Sequence, residues 1–394
     1  MIVLKILEYS LLAYLLIFGL YIFIPALAGR LRRFPSLYSS EDRFRICVLI
    51  PAYKEDGVIY HTALEALNQT YTKNRYEVVV VADSLQPDTL ERLRTLPIRV
   101  IEVSFDKSTK AKALNTAFSQ ICDPFDIAVI LDADNVMEKD FLRKIAAEFE
   151  QGHVAVQGCR TAKNLNTSFA VLDAASERVN NHLFRRGFNA IGLSAPIIGS
   201  GMAFDYQLVR EALASNKAIG GFDKILQLDI LRRRKFIKYQ PHAFVYDEKV
   251  DNADKFQNQR RRWVSSQFKY LRESFAVGFK QLFSGNLDYF NQSVMGNLML
   301  PRILLLGLAG ISFAAVAIFP QFSTAGFAIW TACFMLYVFA MLLGLGNFLV
   351  DSRFLRALAT VPKVFFIMFL ILFKLKNADS RFIHTPHNHT QIQH

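Results

Sequence analysis

The hydrophobic pattern changes character twice along the chain. Residues 6–28 form a nearly continuous apolar run, interrupted by Glu8, Ser10 and a few small or aromatic side chains. A helix of that length can cross a bilayer. No small-residue cleavage site follows, so a retained anchor is expected rather than a removed signal peptide. From about Phe44 to Ala276, short β-rich runs alternate with polar stretches of helical period. Residues 46–52 (ICVLIPA), 77–82 (EVVVVA), 99–103 (RVIEV) and 127–131 (IAVIL) read as buried strands. Helices are expected near 58–69, 88–95, 110–119 and 139–150. Apolar strands alternating with helices predict an α/β fold with a mainly parallel sheet covered on both faces. Ligands of such sheets sit beyond the carboxyl ends of the strands, so the loops after each strand are where chemistry is sought.

The C-terminal part is apolar again. Residues 303–319 and 326–350 are long enough to span. The stretch 353–376 carries Arg353, Arg356, Pro362 and Lys363 and is read as a weaker segment, one that either lies in the interface or crosses. Before these, 274–290 mixes Phe, Leu and Val with Lys280, Asn286 and Asp288, which suits an amphipathic helix at the cytoplasmic surface. From Asn377 the tail is polar. Its His384, His387, His389 and His394 share no fixed spacing on any expected element, so a solvated tail is expected rather than a metal site. The expected organisation is an N-terminal transmembrane helix (1–29), a cytoplasmic α/β domain (30–275), an interfacial helix with a C-terminal transmembrane region (276–376) and a polar tail (377–394). No internal repeat is visible.

Composition supports the membrane reading: 52% of the residues are hydrophobic and 35 are Phe, more than an ordinary soluble protein carries. The net charge of +12 admits nucleic acid, a membrane surface or an anionic substrate. No zinc-finger spacing or RNA-binding signature is present, and basic residues flank the apolar segments. A lipid bilayer and a phosphate-bearing substrate are therefore expected, and no nucleic acid. Arg30, Arg32 and Arg33 follow the first run, which by the positive-inside rule puts the next domain in the cytoplasm. A multi-pass protein of the plasma or inner membrane is expected. Cys47, Cys122, Cys159 and Cys333 form no CxxC pair and read as reduced, structural thiols.

Seven clusters carry candidate chemistry. Asp132-Ala133-Asp134 follows the fourth strand; two carboxylates one residue apart suit a hard divalent cation (Mg²⁺ or Mn²⁺) beside substrate phosphates, or form a strand-end turn. Pro51-Ala52-Tyr53-Lys54-Glu55 follows the first strand as a loop for a nucleotide or a plain connection. Asp83-Ser84 follows the second strand, where Asp83 accepts from a base or ribose or caps a helix. Lys110-Ala111-Lys112-Ala113-Leu114-Asn115 places lysines at a helix start, against the dipole, which points to an anion nearby or to a solvated face. Gly199-Ser200-Gly201 lets backbone approach a ligand, or makes a turn. Gly220-Gly221-Phe222-Asp223 leads into a helix-like run through Arg234; Asp223 serves as general base or as a cap, with Asp229 as a rival carboxylate. Gln259-Arg260-Arg261-Arg262-Trp263 sets Gln259, Arg262 and Trp263 on adjacent helical faces, with Arg for diphosphate and Trp for a sugar ring, or meets anionic lipid.

In order and spacing, these clusters resemble the family 2 glycosyltransferases with membrane segments, the group of cellulose, hyaluronan and chitin synthases. The resemblance covers roughly Arg45 to Tyr270. Its most specific stretch is GGFDKILQLDILRRRKFIKYQPHAFVYDEKV followed by QNQRRRW, which looks like the family's ED…LRLLRRG…I.Y.P.A.V.DE…Q..RW block. It implies a GT-A fold and an inverting hexosyltransferase that moves a sugar from a nucleotide-sugar donor to a glycan acceptor, in polysaccharide synthesis. The alternatives are single-sugar transfer to a lipid or lipid-linked acceptor, and a non-catalytic membrane scaffold. By the resemblance, Pro51, Tyr53, Glu55, Asp83, Lys110 and Asp132 bind the donor and Asp134 ligates the metal. Asp223 is the catalytic base, and Gly199, Ser200, Gly201, Gln259, Arg262 and Trp263 serve the diphosphate and acceptor. Phe222 stands where the family has Glu, Lys112 replaces a Gly, and Leu193-Ser194-Ala195-Pro196 replaces a Cys-containing loop. With few spanning helices, export of a long polymer implies partner proteins.

Overall fold

The computed structural model describes residues 2–39, 41–214 and 221–374. Gly220 and the tail histidines lie outside the described residues. Eight strands form one sheet: β1 (Ile46–Tyr53), β2 (Tyr76–Asp83), β3 (Arg99–Val103), β4 (Ile127–Ile130), β5 (Val136–Met137), β6 (Ala155–Ala162), β7 (Met202–Asp205) and β8 (Lys238–Asp247), in the order β3-β2-β1-β4-β7-β6-β8-β5. The period-two geometry of a strand splits β1 between two cores. Cys47 and Leu49 pack with the helices Lys110–Gln120, Tyr206–Ala214 and Phe222–Arg232; Ile46, Val48 and Ile50 pack with Ile59–Ala66 and Phe141–Glu150. A sheet covered on both faces needs apolar residues on both, which is why these strands read as unbroken hydrophobic runs.

The mainly parallel sheet expected from the sequence is a mixed one. β3, β2, β1 and β4 run parallel. β7 then pairs antiparallel with β4 and β6, β8 runs parallel to β6, and β5 closes the edge antiparallel to β8. The difference has a local origin. β5 and β7 have two and four residues, too few to show a period, and β7 enters from the Gly199–Gly201 turn, where both glycines have positive φ. At Gly201 an added Cβ would also lie 2.7 Å from Val245 Cγ2, so glycine is needed there for space as well.

The helix Ile2–Leu31 contains the first apolar run and packs against the helix Phe327–Leu345, with Leu15, Phe18, Ile22, Trp330, Cys333 and Tyr337 in a shared core. Its C-terminal carbonyls have no partner within the helix. The α/β half supplies a donor there, with Arg186 Nε donating to Gly29 O at 2.7 Å, and His182 Nε2 lies 2.8 Å from Ala26 O in the turn before. Three helices, Ile2–Leu31, Phe327–Val350 and Ser352–Phe373, are long and apolar enough to cross a membrane. The last holds most of the 353–376 stretch, with Arg353, Arg356 and Lys363 in it, so its length and composition admit a span as well as an interfacial segment. The helix Arg302–Ile318 reaches that length only together with Leu287–Leu298, from which it is bent by 57°.

Of the amphipathic helix expected at 274–290, residues 274–283 are instead the end of a 31-residue helix, Ala253–Phe283, whose first half carries the Gln259–Trp263 cluster, and 287–290 belong to a separate helix. The long helix ends where Gly285 takes φ 79°. The boundary expected after residue 275 falls inside this helix.

Candidate active site

Strand order reverses across the β1–β4 pair, the position in an open α/β sheet where the strand ends splay into a crevice. The carboxyl ends of β1, β2 and β4 meet there, around a cavity of about 310 Å³. Pro51, Tyr53, Glu55, Asp83, Lys110, Asp132 and Asp134 line it from this side; Gln259 and Trp263 line it from the helix Ala253–Phe283. Asp223, Gly199, Ser200, Gly201 and Arg262 are not among the lining residues. The first four stand directly behind the wall.

The wall is tied together through Lys110. Thr109 caps its helix by accepting from Lys112 N at 3.2 Å. The Lys110 ammonium ion-pairs with Asp132, donates to Gly199 O at 2.7 Å and sits 4.9 Å over the Phe222 ring. The anion expected near this lysine is thus Asp132. Phe222, in place of the family's Glu, meets the ammonium through a ring face rather than a carboxylate. A Cβ added to Gly199 would lie 3.9 Å from Asp223 Oδ2, so this turn backs onto Asp223. Asp223 itself lies in the first turn of Phe222–Arg232, after Gly221 with φ 65°. Burial raises its pKa, against the lowering pull of the Lys224 N–H and of the Lys110 and Lys224 ammoniums. Burial also lowers the Lys224 pKa to about 8, opposed by Asp223.

Ser200 and Asn135 organise the Asp132–Asp134 loop. Ser200 Oγ accepts from Asp132 N at 2.9 Å. The Asn135 amide is oriented with its oxygen on Ser200 Oγ (2.7 Å) and its nitrogen on Asp134 Oδ1 (3.1 Å) and Asp247 Oδ1 (3.2 Å). The opposite orientation would aim its carbonyl at two carboxylates. One amide therefore bridges Asp134 and Asp247. Lys163, buried below, holds the Asp134 carbonyl through its ammonium and the Asp247 carbonyl through its own N–H at 2.7 Å. Gln157, fully buried, fixes the glycine turn by accepting from Ile198 N (3.1 Å) and donating to Ser200 O (3.0 Å).

Besides the Asp247-Glu248-Lys249 run of the block quoted above, the far wall holds groups that no sequence pattern singled out. Asp173 and Glu177, one turn apart on the helix Ser168–Asn180, line the cavity with Arg160, Asp247, Glu248 and Lys249. Arg160 and Arg185 pair with Glu177 at 2.8 and 2.9 Å, and Lys249 pairs with Asp247 at 2.9 Å. Burial would raise the Glu177 pKa; Arg160 and Arg185 outweigh it and hold this carboxyl well below the usual range. Asp173 ion-pairs with Arg260, whose guanidinium stacks 4.3 Å over the half-exposed Trp263 ring. Arg260 thus covers the cavity's aromatic wall at Trp263. Burial lowers the Arg262 pKa.

Among the described residues no group of three or more His, Cys, Asp or Glu side chains is arranged to hold a metal ion alone. The Asp134–Asp247 pair fits a different coordination, in which a hard cation takes one or two carboxylates and completes its shell from substrate phosphates. An all-oxygen donor set suits Mg²⁺ or Mn²⁺.

The sequence matches the family described as "Glycosyltransferase like family 2" over residues 44–266, more than half of the 394-residue chain. It is similar to the protein named "Probable glycosyltransferase YdaM" from Bacillus subtilis (strain 168), at 23% identity over 263 residues, 62% of this chain and 61% of that one. The matched region thus spans less than two thirds of that relative. In fold, the chain is similar to the mannosyltransferase PcManGT from Pyrobaculum calidifontis, solved in complex with GDP-Man and Mn²⁺; TM-score 0.53, 19% identity, 89% of this chain and 99% of that one. It is similar more distantly to the glucosyl-3-phosphoglycerate synthase from Mycobacterium tuberculosis, solved with Mn²⁺, UDP and phosphoglyceric acid; TM-score 0.42, 17% identity, 59% of this chain and 82% of that one. The matched family spans the whole strand-end crevice and reaches through Trp263, and the chain accordingly belongs to glycosyltransferase family 2.

Proposed function

We propose that the chain is an inverting hexosyltransferase of the membrane-embedded synthase kind, which moves a sugar from a nucleoside-diphosphate sugar onto a glycan acceptor at the cytoplasmic face of a membrane, in polysaccharide synthesis. The observation that carries this reading is the shared cavity. The ends of three parallel strands face the Gln259–Trp263 helix across it, so a donor and an acceptor have opposite walls. In this reading Pro51, Tyr53, Glu55 and Asp83 hold the nucleoside, and Lys110, beside Asp132, faces the phosphates. Trp263, one face covered by Arg260, offers the rest of its ring to the acceptor sugar. Gln259 and Arg262 attend the diphosphate and acceptor end.

Asp223 takes the proton of the acceptor hydroxyl, the oxygen attacks the anomeric carbon in line, and the bonding pair to the diphosphate leaves with it. One displacement inverts the anomeric centre. Lys110 and Arg262 offset charge on the departing group. Asp134, with Asp247, would hold a divalent cation, which when bound would supply neutralisation of that charge.

The second reading is transfer of a single sugar to a lipid or lipid-linked acceptor. It is favoured by the number of spanning-length helices among the described residues, three or, with the bent pair, four. Full-length protein in membranes, given a panel of nucleotide sugars that includes GDP-mannose and UDP-glucose, separates the two by product mass: a ladder for the first, one added sugar for the second. Asp223→Asn is expected to lower kcat roughly 10²–10⁴-fold. Full turnover in that variant would remove Asp223 as base, and activity unaffected by a chelator would remove the metal.

A further inference from the structure

The residues behind Asp223 are held from an unexpected direction. The segment Leu287–Leu298, half of the bent apolar pair, contains a π-helical turn at Asn291–Met295. Such turns inside helices are frequent at functional sites because they re-aim side chains. Gln292, on this turn and 4% exposed, uses every polar part it has. Its Nε2 donates to Ser194 O at 3.1 Å, its Oε1 accepts from Gln227 Nε2 at 3.0 Å, and its main-chain oxygen accepts from Lys224 Nζ at 2.7 Å. Lys224 is the residue after Asp223, and Gln227 lies one turn further on the same helix.

A second arm runs through the loop that leads to Gly199. Asp288, on the same bent segment, accepts from Ser194 N at 2.6 Å and Ser194 Oγ at 2.7 Å. Gln227 Oε1 accepts from Ile197 N at 3.0 Å. Two residues later Gly199 backs onto Asp223 Oδ2 and gives its carbonyl to Lys110. Ser194 and Gln227 are fully buried, and a buried polar group left without a partner is costly. The whole set is satisfied in one arrangement, so it fixes a geometry rather than merely filling space.

We infer that Gln292, a side chain of the bent membrane segment, is a positioning residue for Asp223: it clamps the start of the Asp223 helix and the Gly199 loop to each other from the membrane side. The inference rests on the reading of Asp223 as base. The bent segment thereby becomes part of the machinery that aims the carboxylate at the acceptor hydroxyl. A small displacement of a catalytic group costs rate without weakening donor binding.

The test uses the full chain in lipid vesicles and measures nucleoside diphosphate released from the same nucleotide-sugar panel. Gln292→Leu is expected to lower kcat roughly tenfold or more, while the donor KM stays within about twofold. Gln227→Leu is expected to behave alike, and the double variant to lose no more than the worse single, as for partners in one network. Gln292→Glu keeps size and the acceptor for Gln227 but cannot donate to Ser194 O, and is expected to fall between. Hydrogen exchange needs no substrate: amides 222–227 are expected to exchange faster in Gln292→Leu. Unchanged kcat per folded molecule, multiplying losses in the double variant, or unchanged exchange would each overturn the inference. Asp223→Asn is run alongside. If it keeps turnover, the base reading fails; if it is dead while Gln292→Leu is normal, only the clamp fails.

Discussion

At the scale of the residue, Asp223 is governed by two opposing influences. Burial pushes its pKa up, and the neighbouring Lys224 N–H, Lys110 and Lys224 pull it back without cancelling the rise. A base must be deprotonated to work, so kcat is expected to fall as pH drops through this raised pKa. The acid limb should stand above the ordinary aspartate value of about 4. Lys110→Met removes a charge that favours the carboxylate, so it should move the limb higher still, whatever it does to the plateau; kcat measured against pH checks both shifts, and a limb that stays put or moves down contradicts this account. Asp132, Asp134 and Asp223 were legible because each follows a local signal, a strand end or a glycine-led helix start. Asp173, Glu177 and Gln157 were not. Their settings come from Arg260, Arg160 and the Ser200 turn, which stand 87, 17 and 43 residues away along the chain.

Among the elements, the contact between the apolar helix Ile2–Leu31 and the α/β half is set by small residues. A Cβ added to Gly187 would lie 2.4 Å from Pro25 O, and one added to Gly29 would lie 3.3 Å from Gly187 Cα. Gly187 has helical φ, so alanine would favour its backbone, and only the clash opposes the change. Gly187→Ala is expected to cost on the order of 1–3 kcal/mol, as overpacking does, read as a lower Tm of the full chain in detergent; an unchanged or higher Tm would mean that the two helices part freely. Strands β1 to β4 could be read from apolar runs bounded by turns. β7 could not, because four residues carry no period, and its antiparallel direction depends on the route taken by the chain between β6 and the Gly199–Gly201 turn. The helix Ala253–Phe283 looked like two features because its polar start and its Phe-rich end face different surroundings.

Over the whole molecule, the two halves meet at His182, whose Nε2 hydrogen-bonds to Ala26 O and whose pKa burial lowers to about 4. Arg30, Arg186 and Arg178 around it also disfavour a charged imidazole. The folded state therefore binds this proton less readily than the unfolded chain, in which histidine titrates near 6.5. The stability it contributes is complete above that pH and is lost as pH falls towards about 4, to an extent on the order of 3 kcal/mol. Unfolding of the full chain in detergent at pH 7, 5.5 and 4.5, compared with His182→Gln, should show a steeper loss in the parent. The amino-acid sequence by itself determined the apolar segments, the four parallel strands and the order of acidic and basic clusters along the chain, because each depends on a period or a spacing within one segment. Only the tertiary structure decided that Lys110 spends its charge on Asp132, that Asp247 stands beside Asp134, that Arg260 pairs with Asp173, and that a bent apolar segment holds the helix of Asp223. These are contacts between residues tens to hundreds of positions apart, and they exist only once the sheet order and the helix docking have brought the partners together.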